Sequence, residues 1–281
     1  MTLSVTILVL VAAFLHASWN AFVKAGDDKL LSLGLMHACS GVIGLCLLPL
    51  VPLPDPASWP YLALSAALHW GYYLFLISGY RTGDLGVVYP LARGSAPILI
   101  AITGAIIAGE HLPLLAMAGL SLACLGIISL SFENGLPARR NLKPILFAIG
   151  TAIWITAYTL ADGLGVREAG SKLSYIFWLF VLEAVTFCPF AILMRRHTWK
   201  GYYLKNWRGL WLSGTVAAVA YGLVIYVMST NPMALVSALR ETSVVIAVFI
   251  GGFVLKERNM LFRITAAIIV VSGIMLMNSA V

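Results

Sequence analysis

Apolar residues run almost unbroken along this chain, and polar positions gather in short gaps between the runs. A bilayer-spanning helix needs roughly 20 apolar residues. Runs of that order fall at 2–23, 30–52, 59–80, 86–108, 114–132, 143–162, 172–194, 208–228, 233–255 and 261–280. The gaps carry turn and charge signals: "PLPDPAS" at 52–58, "RTGD" at 81–84, "ENGLPARRN" at 133–141 and "RRHTWKGYYLKN" at 195–206. The pattern predicts an all-α membrane protein of ten transmembrane helices.

Composition agrees, with 61% hydrophobic and 10% charged residues, against roughly 25% charge in a soluble domain. The opening "MTLSVTILVL" has no basic n-region, so a cleaved signal peptide is not expected. The four cysteines lie inside apolar runs without CxxC spacing. They read as small buried hydrophobes, with no disulfide and no metal site. A net charge of +7 could suggest nucleic acid. Here the basic residues cluster between spans, which makes them topology signals and leaves nucleic acid out as a partner.

The two halves echo each other. "LARGSAPILIAITGAIIAGEHL" at 91–112 overlays "ALRETSVVIAVFIGGFVLKERN" at 238–259 with a constant offset of 147. Arg93 falls on Arg240, Ser95 on Thr242, Gly104 on Gly251 and Glu110 on Glu257. The first helices align more weakly, with His16, Asn20 and Lys24 on Trp154, Tyr158 and Asp162. Each trio is spaced i, i+4, i+8 and shares a helix face. Five spans per half is an odd number, so the second half is expected upside down: two inverted five-helix repeats, at 1–135 and 136–281. That is an architecture of secondary transporters, with substrate held near the midplane between the repeats.

Fourteen of the 18 lysines and arginines fall in the loops after odd-numbered spans. Arg167 and Lys172 lie in the others, and Arg93 and Arg240 lie within spans. The positive-inside rule then puts the odd-numbered loops in the cytoplasm and both termini on the opposite side.

Ten spans in two halves, each with a Pro- or Gly-containing fourth helix ending in "GEHL" or "KERN", resemble the EamA-type transporters of the drug/metabolite transporter (DMT) superfamily. The resemblance extends over essentially the whole chain. It implies a small-molecule carrier of the bacterial cell inner membrane, often an exporter of amino acids or related metabolites, with a cavity lined by both halves. It implies no enzyme activity, no cofactor and no ATP site, and the chain has no GxxxxGK[ST]. Family members are generally drawn with both termini in the cytoplasm, opposite to the charge distribution. "FLHASWNAFVK" in the first span resembles a branch associated with phosphonate use.

A charged side chain at a helix centre costs roughly 2.5–3.5 kcal/mol on insertion scales, so it faces a cavity or a partner. Arg93 and Arg240 are the candidates for a substrate carboxylate, phosphonate or phosphate, where a planar fork donor fits. The structural alternative ties Arg240 to Glu241 or Glu183 and lets Arg93 snorkel. Glu241 follows Arg240 directly, about 100° round a helix, so the two are not expected to pair. Glu241 is then available to Arg93, to a substrate amine or to a proton. His16, Asn20, His69, Tyr73, Tyr89, Trp154 and Tyr158 complete the candidate binding set, the rings among them able to wall an ammonium. Interhelical packing is their competing role. His37 reads as a packing histidine. Pro90 and Pro97 are candidate hinges beside Arg93.

The expected function is alternating-access transport of a small polar metabolite, an amino acid or related zwitterion or anion. A proton is the candidate co-substrate, the lipid bilayer the surroundings, and a monomer or homodimer the assembly. Two alternatives stand beside it: a non-transporting membrane subunit, and a membrane-embedded lipid-handling enzyme.

Overall fold

The structure, a computed structural model, describes residues 2–82, 85–133, 142–246 and 260–280, without the side chains of residues 24, 80–82, 85 and 86. No strand occurs among the described residues. In chain order the helices are α1 (Leu3–Ala25), α2 (Lys29–Leu47), α3 (Trp59–Thr82), α4 (Leu85–Ile107) and α5 (Leu114–Ser129). After them come α6 (Lys143–Arg167), α7 (Lys172–Met194), α8 (Trp199–Met228), α9 (Met233–Arg240) and α10 (Met260–Ser279). Nine of the described helical segments are long and apolar enough to cross a membrane. This is a multi-pass helical membrane protein.

Two expectations change. The run at 195–206 reads as a loop, yet α8 already begins at Trp199. Its first turns are amphipathic: Trp199, Tyr202 and Tyr203 pack against the buried cluster of Leu31, Leu35, Cys39, Cys188 and Leu210. The Tyr202 hydroxyl lies 2.6 Å from that of Ser32. Those contacts hold as helix a stretch that hydropathy alone leaves as loop, starting the span too late. The second change concerns hinges. α4 runs through both Pro90 and Pro97 without interruption. The break falls in the ninth segment, where α9 stops at Arg240, Glu241 forms a turn, and helix resumes over 242–246. The boundary expected at 135 and 136, and the repeat partners Gly251 and Glu257, lie outside the described residues.

Helices pair mostly across the two halves of the chain. α2 lies along α7, α3 along α6, α1 along α8, α5 along α10, and α4 crosses α9. The α5–α10 seam shows why small residues sit there. A Cβ on Gly119 would lie 2.4 Å from the Met277 amide, and one on Gly273 would lie 2.4 Å from the Ala123 amide. With no water to drive helix association inside lipid, such close backbone approach is what makes packing favourable.

The loops sort into two sets. Asp28, between α1 and α2, binds Arg195 after α7 at 2.6 Å. Glu133, after α5, binds Arg263 of α10 at 2.8 Å. In the other set the Asp55 amide, before α3, donates to the Ala169 carbonyl after α6. Glu110, after α4, pairs with Arg167 and accepts the Met233 amide at 2.8 Å, which caps α9. Odd-numbered and even-numbered loops thus meet only their own kind in these contacts.

Asp28 also caps α2, accepting from the Leu30 and Leu31 amides at 3.0 and 3.1 Å. Burial pushes its carboxyl up, but the Arg195 guanidinium and the two amides outweigh that and hold it below the usual carboxylate range. The folded state favours its ionised form. That contribution is present above the unfolded-state value and is lost as pH falls through the folded one.

Two outcomes follow. Gly273→Leu forces α10 from α5 and should lower stability by about 1–3 kcal/mol, read as a fall in the detergent-solubilised melting temperature; an unchanged melting temperature would mean the seam is loose. In a pH series of melting temperatures, Asp28→Asn should flatten the loss of stability below about pH 4. Equal slopes for both proteins would exclude that contact.

Candidate functional site

The site is built from the residues that cost most to bury. Arg93, Arg240, Glu241, Asp162 and Glu183 are the buried charged side chains among the described residues, with His69 beside them. They form two adjoining groups.

The first is basic. Arg93, near the middle of α4, donates from Nε to Oε2 of Glu241 at 2.7 Å. Glu241 has 0% of its surface exposed, and Arg93 and Arg240 each have 2%. Arg240 Nε lies 3.7 Å from Glu241 Oε1, an ion contact beyond hydrogen-bond reach. The expectation that neighbours on a helix point apart fails here because the chain turns at Glu241, so the 100° step of a regular helix does not apply. Arg93 and Glu241 meet across 148 positions of sequence.

The pairing leaves orphans. Arg240 Nε and Nη2, Arg93 Nη2 and Glu241 Oε1 are buried without a hydrogen-bond partner, and so is the Ser237 hydroxyl one turn before Glu241. Buried polar atoms normally find partners, so a group of orphans on one ion cluster marks it as a candidate site. Around it stand Tyr89, whose ring centroid is 5.9 Å from the Arg93 guanidinium carbon, and His16 and Tyr158, each within electrostatic reach of both arginines.

The second group is acidic. Glu183 of α7 lies between two imidazoles, with His37 Nδ1 of α2 at 3.3 Å and His69 Nδ1 of α3 at 3.2 Å. Asp162 of α6 accepts from the Tyr175 hydroxyl at 3.1 Å and from the Tyr221 hydroxyl. Tyr158 joins the two groups. Its ring stacks on His69 with centroids 4.1 Å apart, and it also senses both arginines. Tyr73 packs against His37 and His69. Among the described residues no group of three or more His, Cys, Asp or Glu is arranged to hold a metal ion.

Of the residues singled out from sequence, Arg93, Arg240, Glu241, His16, Tyr89 and Tyr158 gather in the basic group, and His69 and Tyr73 in the acidic one. Trp154 packs against the buried cluster that holds Tyr73 and Tyr158, and Asn20 bonds to its own helix. The Asn20 amide donates back to the His16 carbonyl of its own helix at 2.9 Å. Trp154 lies flat on Gly71, where a Cβ would meet its ring at 2.4 Å. Asp162 and the role of His37 were missed. Asp162 stands alone in an apolar helix, and an intramembrane acid is a functional signal by default, so it could have been found by that rule.

The comparisons with known proteins bear on this geometry. The family model for EamA-like transporters matches residues 3–132 and 142–279. The chain belongs to the EamA-like transporter family. That family is part of the DMT superfamily. A solved crystal structure of a protein superposes with a TM-score of 0.79 over 98% of each chain at 18% identity, which speaks for the fold alone. No curated protein matches the sequence. Membership makes this EamA-like chain a membrane transporter by family and gives the buried ion cluster a setting.

The cluster makes a specific stability prediction. Removing one partner of a buried pair strands the other and costs roughly 3–5 kcal/mol, whereas replacing both by apolar groups is often neutral. Glu241→Leu should therefore lower the melting temperature strongly, and Arg93→Met with Glu241→Leu should recover most of the loss. A double variant as unstable as the single would show that the two act independently.

Proposed function

We propose that this protein is a secondary transporter of a small polar metabolite, an amino acid or a related zwitterion or anion. It works in a bacterial cell inner membrane by alternating access. The observation that carries the reading is Arg240: a buried guanidinium at a helix break, with Nε and Nη2 unpartnered. Arg93 has its Nε committed to Glu241. Arg240 is then the group offered to a carboxylate, phosphonate or phosphate, as a planar donor set matched to such oxyanions. The aromatic side chains Tyr89 and Tyr158, and the acidic group beyond them, suit the ammonium end of a zwitterion. Broken segments at the midplane are where such carriers hold substrate.

Ten spans in two inverted five-helix repeats, 1–135 and 136–281, belong to the same proposal. The pairing of α2 with α7 and of α5 with α10 supports it, because second meets second and fifth meets fifth. The match of α3 with α6 and of α8 with α1 is the reciprocal pair that a pseudo-twofold requires. The separation of odd from even loops supports a consistent sidedness, and the basic excess of the odd loops supports an orientation with both termini outside the cytoplasm.

Reconstitution tests this. Proteoliposomes screened over amino acids, aminophosphonates and polyamines should show saturable flux of at least one oxyanion-bearing solute. Arg240→Ala should cut that flux at least about tenfold, the equivalent of 1.4 kcal/mol, while leaving folded protein in the membrane. Absence of saturable flux for every solute would overturn the reading. A periplasm-active reporter fused to the C-terminus should be active, and a silent one would reverse the orientation.

A further inference from the structure

The basic group does not account for Glu183, His37, His69 and Asp162. These come from four helices, and the substrate reading uses them at most as a negative wall. Their arrangement has a purpose of its own.

His69 Nδ1 lies 2.9 Å from the Ser65 carbonyl. A carbonyl only accepts, so this nitrogen carries a proton and donates it there. The opposite ring nitrogen, Nε2, is then the atom of neutral His69 that can take up a proton. Glu183 Oε1, 3.2 Å from the same Nδ1, is left without a hydrogen-bond partner although the residue is only 3% exposed. On the other side, His37 Nδ1 stands 3.3 Å from Glu183 Oε2. Each Asp162 oxygen lies against a tyrosine hydroxyl, Tyr175 on one and Tyr221 on the other, donors that an ionised carboxylate can use. It stands within electrostatic reach of His69 and Glu183. With both imidazoles neutral and both acids ionised, Glu183 and Asp162 are like charges within electrostatic reach, at a cost that grows as the local dielectric falls.

Charge counted over the described core, with its carboxylates ionised, points the same way. The buried charged side chains among the described residues are two guanidiniums and three carboxylates, which leaves one net negative charge. One proton on the acidic group makes the core neutral.

We propose that His37, Glu183 and His69 form a proton-binding site that reversibly takes up one proton as an imidazolium held against Glu183 and Asp162. The proton adds to an imidazole lone pair, and no other bond is made or broken. The titratable and charged groups facing it are His37 from α2, His69 and Tyr73 from α3, and Asp162 and Tyr158 from α6. Tyr175 and Glu183 face it from α7, Tyr221 from α8 and Arg240 from α9. Proton uptake removes the excess negative charge and so favours an anion at Arg240. That last consequence rests on the reading of Arg240 given above; the proton site itself does not.

The chain has five histidines, few enough to be read singly. Full-length protein labelled with nitrogen-15 at histidine, in detergent and without any solute, is titrated from about pH 9 to about pH 5, the window of an imidazole. His69 should move to imidazolium shifts as pH falls, and His37 should respond at the same midpoint. In Glu183→Gln the response of His37 should be lost. A His69 that keeps one neutral tautomer across the window would overturn the proposal, and so would two rings that titrate independently in the wild type. The wild-type titration decides by itself, so poor folding of the variant does not rescue the idea. Flux, not this titration, decides the transport reading, so the two can fail separately.

Discussion

Arg93 and Glu241 are charges buried in an apolar helical core. The two charges share a 2.7 Å hydrogen bond, come from opposite halves of the chain, and have no access to water to spread their charge. Breaking such a pair costs more than never having made it, so α4 and the turn after α9 must stay together. That constraint holds the turn at Glu241, and beside the turn Arg240 keeps Nε and Nη2 without hydrogen-bond partners. Around it, the α5–α10 seam and the α2–α7 contact position the helices that carry the two arginines and the acidic group.

The core divides its polarity in an ordered way. A basic group and an acidic group meet across Tyr158, whose ring stacks on His69 and stands near Arg240. Such an arrangement matches a zwitterion in sign, with oxyanion and ammonium at opposite ends. It also lets charge at one group respond to charge at the other, because a low dielectric transmits electrostatics over several ångströms. In a carrier, that coupling is what allows a bound solute and a bound proton to influence one another.

Much of this was written in the chain. Spanning helices are legible because lipid demands long apolar runs, and the segment at 172–194 is read to the residue, as Lys172–Met194. Arg93, Arg240 and Glu241 stand out because charge is rare in such runs. What sequence could not give is contact. The early start of α8 depends on Tyr202 reaching Ser32, a partner 170 positions away. Prolines suggested a hinge in α4, but the helix continues through them, and the break sits where no proline marks it. His37 looked isolated because its partner Glu183 lies five spans on. Asn20 and Trp154 share faces with candidate residues, and their visible contacts are a bond within α1 and packing on Gly71 and the cluster around Tyr73 and Tyr158.

The central claim is a division of labour: Arg93 and Glu241 hold the core, and Arg240 meets the solute. Calorimetric affinity for the solute that shows saturable flux tests it most directly. Arg240→Ala should abolish measurable binding, while a stable protein with both Arg93→Met and Glu241→Leu should bind within about tenfold of the wild type, a difference of 1.4 kcal/mol. Binding that survives loss of Arg240 and disappears with the ion pair would contradict the account.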